Sequence, residues 1–533
     1  MSTYTTLSSL LANSGVTAGI EVKVTLVAGV AAADIRYYNN DTPSNIVSPG
    51  KTTFSLPAYG TYTVYATNGT QTSSKVTVNA TQAMQYSVSL AYFRAYIKIT
   101  SKSGNTVYLQ KGGSNVVTPY VSDGTAKTHT VGLTGDYIVY CTDTKGKTSA
   151  KKTVAVSAET TYEVAVNTGV TYGVKVAINQ SNPESRVTYY SSEGESTSSW
   201  PAAGDSAAWL KTDLFSGIFP CVRSESGTII KRAWTDAANS QSGDEFIAIP
   251  KMGYRMTSNS SYNYIEVTTE EGKSGFNYMA HGLNAEGDCD YIYIGRYLAY
   301  NSGSKLYSQY GRTPVSSISL TNARNYATAR GTGFQLFSFY QMTLLQCLFL
   351  IMYKNCDSQT ALGRGYTNTS NSSGTSTGGT SGKGACYGTI STTTQVCFLG
   401  IEDFWGNYSQ WVDGIYCDFS YNILTYYKNL SNTDNGGSGY ADKVPSEINS
   451  NFFNYPINIQ GTNSGGFIAK DGGGSSSTYW PDDSSLYSGY CCRFGGAWGY
   501  GADAGAFCVL VSYSASDSCS SLSVRSVFKH LAS

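Results

Sequence analysis

Short runs in which apolar and polar residues alternate fill the first third of the chain, and they come in two copies. Tyr62-Thr-Val64-Tyr65-Ala-Thr-Asn-Gly69 is echoed by Tyr137-Ile-Val139-Tyr140-Cys-Thr-Asp-Thr-Lys-Gly146, a spacing of roughly 75 residues. A lysine-bearing run follows each copy, Lys75-Val-Thr-Val78 and Lys152-Thr-Val-Ala-Val156. Each then closes on an alternating run, Tyr86-Ser-Val88-Ser-Leu90 and Tyr162-Glu-Val164-Ala-Val166. A period of two between Asn and Gly turns is that of strands with one face on a core. The pattern predicts two all-β sandwich modules over residues 17–90 and 91–168, with Tyr65 and Tyr140 at equivalent structural sites. Residues 1–16, with Leu7, Leu10 and Leu11 among Ser and Thr, are weakly helical and read as an attachment segment or a flexible tail. The two modules resemble the immunoglobulin-like modules of bacterial and phage proteins, which implies a spacer role.

From Val170-Thr-Tyr-Gly-Val-Lys-Val176 onward the pattern changes, and residues 169–533 read as one large α+β domain. Thr321 or Asn322 is placed to cap a helix whose apolar face includes Ala323, Tyr326 and Ala327, with Gly331 as its stop. The run Met342-Thr-Leu-Leu-Gln-Cys-Leu-Phe-Leu-Ile-Met352 belongs to a second helix from about Ser338 to Tyr353. It is too short and too interrupted to span a bilayer, so a buried helix is predicted. Residues 367–384 are almost wholly Ser, Thr, Asn and Gly. They form no phosphate-binding pattern and read as a loop or a disordered insertion.

Near the end, Phe507, Val509 and Val511 alternate with Cys508, Leu510 and Ser512, the period of a strand. The first set is uniformly apolar and is predicted to face inward. The second has no single character and is predicted to face out with Tyr500, Asp503 and Tyr513. Trp411 and Trp498 are predicted to be buried supports.

Two motifs frame this segment. Phe398-Leu-Gly400-Ile-Glu-Asp403-Phe-Trp405-Gly406-Asn407-Tyr-Ser-Gln-Trp411-Val412-Asp413-Gly414 is the sharpest in the chain, and Arg493-Phe-Gly495-Gly496-Ala-Trp498 and Val524-Arg525-Ser-Val-Phe528 follow it. Gly406 and Asn407 suit a turn of positive φ, and Gly495 and Gly496 allow close backbone approach. Together the motifs resemble the C-type-lectin-like fold of the formylglycine-generating enzymes. In that family a Gly-Asn-x-x-x-Trp segment precedes an Arg-Gly-Gly-Ser-Trp-like one and a closing Arg-bearing strand. The binding proteins diversified by retroelements, phage tropism determinants among them, share this layout. Phe494 and Ala497 depart from the Arg-Gly-Gly-Ser run. The resemblance implies that Trp405, Gly406, Asn407, Trp411, Arg493, Gly495, Gly496, Trp498 and Arg525 hold the fold. It also implies a variable surface within 490–528, and a homotrimer.

Composition sharpens the picture. Lys+Arg and Asp+Glu balance at 36 each, and charged residues are only 14% of the 533, so no field favours nucleic acid or an anionic membrane. The 44 tyrosines, beside abundant Ser, Gly and Asn, match the composition of antibody binding loops and equally suit strands. The N-terminus lacks a basic region followed by an apolar run, so a chain made in a bacterial cytoplasm without a signal peptide is expected. Twelve cysteines without paired spacing read as reduced thiols rather than a disulfide scaffold.

Catalytic chemistry is not visible. His129, His281 and His530 have no Ser-His-Asp context. Cys491 and Cys492 are adjacent rather than Cys-x-x-Cys. Cys491, Cys492, Cys508 and Cys519 do not reproduce the reactive pair of the formylglycine-generating relatives. Asp288, Asp290, Asp482 and Asp483 are read as solvated loop residues rather than a calcium site. Glu402 and Asp403 lack a second placed carboxylate for glycosidase work. No catalytic residue, metal or cofactor is therefore expected.

The expected function is that of a phage virion receptor-binding protein, exposed on the tail, that takes a host cell-surface protein or glycan and joins other virion proteins through its N-terminal region. Nucleic-acid binding and membrane insertion are not expected. Retroelement relatives vary at adenines, giving a residue set without Lys, Glu, Gln, Met and Trp, and Tyr500–Ser521 contains none of these five. The resemblance thus assigns the ligand surface to Tyr500, Gly501, Asp503, Cys508, Leu510, Ser512, Tyr513, Asp517, Cys519 and Ser521. Two other readings stay open: a virion decoration or fibre protein with a fixed assembly surface, and an enzyme of the formylglycine-generating type.

Overall fold

The computed structural model describes residues 19–529 apart from 28–29, 70, 145, 147, 150, 167, 195, 237–242, 283–288 and 427–441. The attachment segment expected at 1–16 lies outside the described residues, as do Asp288 and His530. The chain is mostly β and divides into two compact units, Met1–Thr168 and Gly169–Ser533.

The N-terminal unit builds the same sheet pair twice. Strands β1 (Glu21–Leu26), β2 (Ile35–Asn39), β3 (Thr53–Ser55), β4 (Gly60–Ala66), β5 (Val76–Ala80) and β6 (Gln85–Leu90) form sheets of order β3-β1-β6 and β2-β4-β5. Then come β7 (Ala95–Thr100), β8 (Thr106–Lys111), β9 (Ser114–Asn115), β10 (Tyr120–Val121), β11 (Lys127–Val131), β12 (Gly135–Thr142), β13 (Lys152–Val156) and β14 (Thr161–Ala165). Their sheets run β11-β7-β14 and β10-β8-β12-β13. The first and last strands of each copy pair in parallel, β1 with β6 and β7 with β14.

Alternation drives this arrangement: Val22, Val24, Val64, Val78, Val88 and Leu90 fill one core, and Ile97, Ile99, Val107, Leu109, Val139 and Val156 fill the other. The same local devices recur in both. Tyr62 and Tyr137 are buried, and each donates its hydroxyl to the carbonyl four residues back, Ala58 at 3.1 Å and Leu133 at 2.8 Å. Ser73 and Ser149 accept from the N–H of Ala66 and Cys141. Tyr65 stands edge-on to Tyr38, and Tyr140 stacks on Tyr108 at 4.6 Å, each pair roofed by a lysine, Lys75 or Lys151. Of the repeated tyrosines, Tyr62 and Tyr137 are thus the more deeply buried, three residues before the Tyr65 and Tyr140 of the repeat.

In the C-terminal unit the helix Phe339–Tyr353 is buried along its whole length. Its start is a capping box: the Ser338 N–H donates to Gln341 Oε1 at 2.9 Å, and Lys354 closes it in the left-handed region. It shares one core with Val174, Ile265 and Val267 of a four-stranded sheet and with Phe494, Val509 and Val511 of an eight-stranded sheet. The other helix spans Leu320–Thr328 and is capped by Ser319, whose hydroxyl accepts from the Asn322 N–H. Thr321 and Asn322 lie inside its first turn, and Tyr326 is half-buried beside the buried Ala323 and Ala327.

Residues 367–384 are a packed loop and not a disordered insertion. Buried Glu402 accepts from the N–H of Gly378 and Thr380 and from the Thr380 hydroxyl, which ties the tract to the sharpest motif.

Candidate recognition surface

The motif 398–411 is a chain of unusual turns wrapped around buried polar groups. Leu399, Gly400, Asp403, Gly406 and Asn407 all have positive φ, and the non-glycine members are strained there. Side chains compensate. The Asn407 amide donates to Asp403 Oδ2 at 2.8 Å and to the Thr375 carbonyl at 3.0 Å, and its oxygen accepts from the Thr375 N–H. Trp405 is fully buried and donates to the Gly363 carbonyl. Arg525, only 1% exposed, donates to Gln410 Oε1 and to the carbonyls of Gly295, Arg296, Glu402 and Asp403. Burial raises the carboxyl groups of Glu402 and Asp403 above their usual range.

Gly495 and Gly496 bring the next segment onto this platform. A Cβ on Gly495 would lie 3.1 Å from the Phe404 carbonyl, and one on Gly496 would lie 2.8 Å from Ala504 Cβ. The loop that follows is pinned from below. Gln359 donates to the carbonyls of Gly501 and Ala504, and the Gly501 N–H donates to the Thr367 carbonyl. Trp411 is fully buried, with its indole N–H on the Ile318 carbonyl at 2.9 Å. Trp498 is not. It is half-buried against Tyr408, because it lies on the loop rather than on the strand.

Strand register places one row of side chains straight across the eight-stranded sheet: Phe453, Ser485, Leu510, Arg493 and Trp411. Phe507, Val509 and Val511 point the other way, into the core with Trp480 and Phe349. The alternation therefore holds, but the predicted exposure of its second set does not. Cys508 and Leu510 are both 0% exposed, and only Ser512 and Tyr513 reach partial exposure. The reason is position. The strand Val509–Tyr513 lies inside the sheet between Tyr490–Phe494 and Ser484–Leu486; Leu510 sits opposite Arg493, and the Cys508 carbonyl accepts from the Gly495 N–H at the start of the next loop.

Around that strand the predicted residues fall into two groups. In the first, Arg493 donates through Nη1 to the Tyr500 hydroxyl, and its guanidinium lies 4.0 Å from the centre of the Tyr513 ring. Arg493 is 9% exposed, its Nε is buried without a partner, and it forms no ion pair among the described residues. A buried unsatisfied donor costs about 1–3 kcal/mol. Half-buried Asp503 accepts from the Tyr455 hydroxyl, and burial, reinforced by Asp503, raises the Asp483 carboxyl to about 7.

The second group lies on the turn after Tyr513. Exposed Asp517 accepts from the Ser514 N–H at 2.8 Å, and Cys519 and Ser521 are in mutual contact at 3.3 Å. The Cys519 thiol, 4.0 Å from the Tyr513 hydroxyl, links the two groups. Sequence reasoning assigned Arg493 a purely structural role and missed Tyr455, Asp483 and Phe453 as neighbours of the surface. Their pairing to it is long-range, and no local pattern announces it.

No catalytic constellation assembles among the described residues. His281 is fully buried, with its Nε2 3.3 Å from the Ile249 carbonyl, and burial pushes it down to about 3. His129 packs on Tyr120. All twelve cysteines are free, and burial pushes Cys492 up to about 12 and Cys508 well above its usual value, the opposite of an activated thiolate. Asp482 and Asp483 are buried rather than solvated, because Asp482 accepts from the Phe507 N–H and Asp483 from the Ser484 N–H. The described residues hold no group of three or more His, Cys, Asp or Glu arranged for a metal ion, and no helix among them is long and apolar enough to cross a membrane.

No protein-family model matches the chain, and no curated protein does. Among solved structures, the Major Tropism Determinant M1 variant is 14% identical over 75% of this chain and 82% of its own, with a TM-score of 0.25. The U1 variant is 13% identical over the same shares, with a TM-score of 0.23. A putative adhesin from Bacteroides ovatus is 8% identical over 31% of this chain and 97% of its own, with a TM-score of 0.20. Likeness this distant leaves function to be argued from the residues.

Proposed function

We propose that the chain is a receptor-binding protein of a phage tail, with immunoglobulin-like spacers and a C-type-lectin-like head that recognises a host-surface ligand. The observation that carries this reading is the cluster of side chains around Arg493. A loop held down by Gln359 and Thr367 presents Tyr500 and Asp503, a neighbouring strand presents Tyr513, and a rigid sheet supports all three. Adaptable side chains on a fixed frame are what a recognition surface requires. Binding, and not turnover, is the proposed activity. Assembly as a trimer and attachment to the virion through the N-terminal region belong to the same proposal.

The test is attachment of the purified chain to a panel of intact bacterial cells. The double variant Tyr500→Ala, Tyr513→Ala is expected to lose attachment by about thirtyfold or more, the scale of paired hot spots, while keeping the parent's circular dichroism. Undiminished attachment by a folded double variant would place recognition elsewhere, with the two N-terminal modules next in line.

A further inference from the structure

Several arginines of the C-terminal unit are answered by carboxylates or carbonyls. Arg324 lies on Asp413, Arg330 on Asp244 and Arg255 on Glu266, and Arg186 and Arg525 are held by backbone carbonyls. Arg493 is not: like Arg223 and Arg364 it keeps a buried Nε without a partner among the described residues, and unlike Arg223 it lies among tyrosines rather than phenylalanines. It is nine-tenths buried, stacked on Tyr513, and bonded through Nη1 to Tyr500 alone. The two donors left over, Nε and Nη2, form the edge of the guanidinium that carboxylates and phosphates take with two parallel hydrogen bonds. Nε is buried without a partner, so a ligand that pairs with this edge has to part the side chains over it. Of the nearby carboxylates, Asp503 accepts from the Tyr455 hydroxyl and Asp483 from the Ser484 N–H, and Asp483 feels the Arg493 charge without forming an ion pair with it.

We propose that Arg493 is the anion-reading centre of this surface, and that its ligand is an acidic saccharide whose carboxylate or phosphate pairs with the Nε–Nη2 edge between Tyr500 and Tyr513. The proposal rests on the receptor-binding reading above and names its ligand class. Two tyrosine rings next to a largely buried charge suit the face of a sugar, and Asp503 and Ser512 add partly exposed polar groups for its hydroxyls. A protein ligand would want an apolar anchor at the centre. The exposed apolar side chain of the row, Phe453, sits instead on the far edge strand.

Biolayer interferometry of the full chain at fixed ionic strength provides the test, with polygalacturonate, phosphomannan, neutral dextran and polyglutamate as probes. One acidic saccharide is expected to bind at least tenfold more tightly than dextran and polyglutamate, and which one wins identifies carboxylate or phosphate. Arg493→Lys keeps the charge but loses the fork, and is expected to weaken that binding at least tenfold. Should Arg493→Lys not fold, competition of the parent by monomeric galacturonate or by inorganic phosphate reads the same edge. Equal binding of dextran, equal binding of polyglutamate, or an Arg493→Lys variant that binds like the parent would each overturn the proposal. Cells that capture the chain and lose it on protease treatment, but not on periodate oxidation, would overturn it too while leaving receptor binding intact.

Discussion

Most strands of the N-terminal unit bury one face, Gly60–Ala66 being an exception, whereas those at the centre of the C-terminal unit bury two. Val76–Ala80 and Gln85–Leu90 alternate buried and exposed side chains, but every residue of Ser409–Cys417 is buried. A one-faced strand tolerates change on its outer side, and its sheet supplies spacing and rigidity. A two-faced strand has no free side, so the only partly exposed groups are those of the segments around it. Here those segments are the Gly495–Asp503 loop and the turn after Tyr513. The variable-looking positions near the C-terminus thus divide into supports and presented groups.

The largest effects should come from the doubly covered sheet. Leu510→Ala is expected to cost about 2–5 kcal/mol and Trp411→Ala about 3–5 kcal/mol in thermal melts of the full chain. Ser89→Ala and Thr77→Ala, on outer faces of the N-terminal unit, should stay within about 0.5 kcal/mol. A Leu510→Ala protein that melts like the parent would erase the distinction.

Acid should separate the two units next. His281 titrates near 6.5 when unfolded and about 3 when folded, so its contribution is complete above 6.5 and is lost as pH falls towards 3. That loss is on the order of 4–5 kcal/mol. Asp483 has the opposite sign. Its folded value is raised to about 7, so its contribution is present at low pH and is lost as pH rises through 7. Asp483→Asn should therefore steepen the acid-side loss of the C-terminal transition, and His281→Gln should flatten it. In the N-terminal unit the shifted carboxyls of Asp34 and Asp123 move down, held by the Tyr92 hydroxyl and by Thr125. Burial also holds His129 below its ordinary value, so this unit should soften as the pH falls below the histidine range and further once it falls below the carboxyl range. Calorimetry between pH 3 and 8 checks all of this.

Glycines give a smaller contrast. Gly496 and Gly146 both have positive φ, but a Cβ meets Ala504 at 2.8 Å in the first case and open space in the second. Gly146→Ala should cost about 1 kcal/mol from backbone alone, and Gly496→Ala distinctly more. The smallest effect tests the repeat itself. Tyr62→Phe and Tyr137→Phe each remove one hydroxyl hydrogen bond and should cost about 0.5–1.5 kcal/mol, equally in the two modules.

The same contrast sets what the sequence makes legible. Period-two alternation marks the strands of the N-terminal unit because water on one face enforces it. At Cys508 and Leu510 alternation still gives the correct faces, yet it carries no information about what packs over the outer one. The buried helix reads well because Ser338 and Gln341 cap a run with no polar face. Ser319 is missed as a cap because Thr321 and Asn322 offer the same chemistry two and three residues later. The turn glycines and Asn407 are legible from their own stereochemistry. Tyr455 and Asp483 are not, since each reaches the surface through the fold of segments far apart in the chain.

Arg525 sets a clock on biosynthesis. It binds the carbonyl of Glu402 from 123 residues downstream. At ribosomal rates of roughly 5–20 residues per second, about 6–25 s separate the emergence of the two. For that interval the strained 398–407 turns and their neighbouring carboxyl groups wait without the cation that will lie among them.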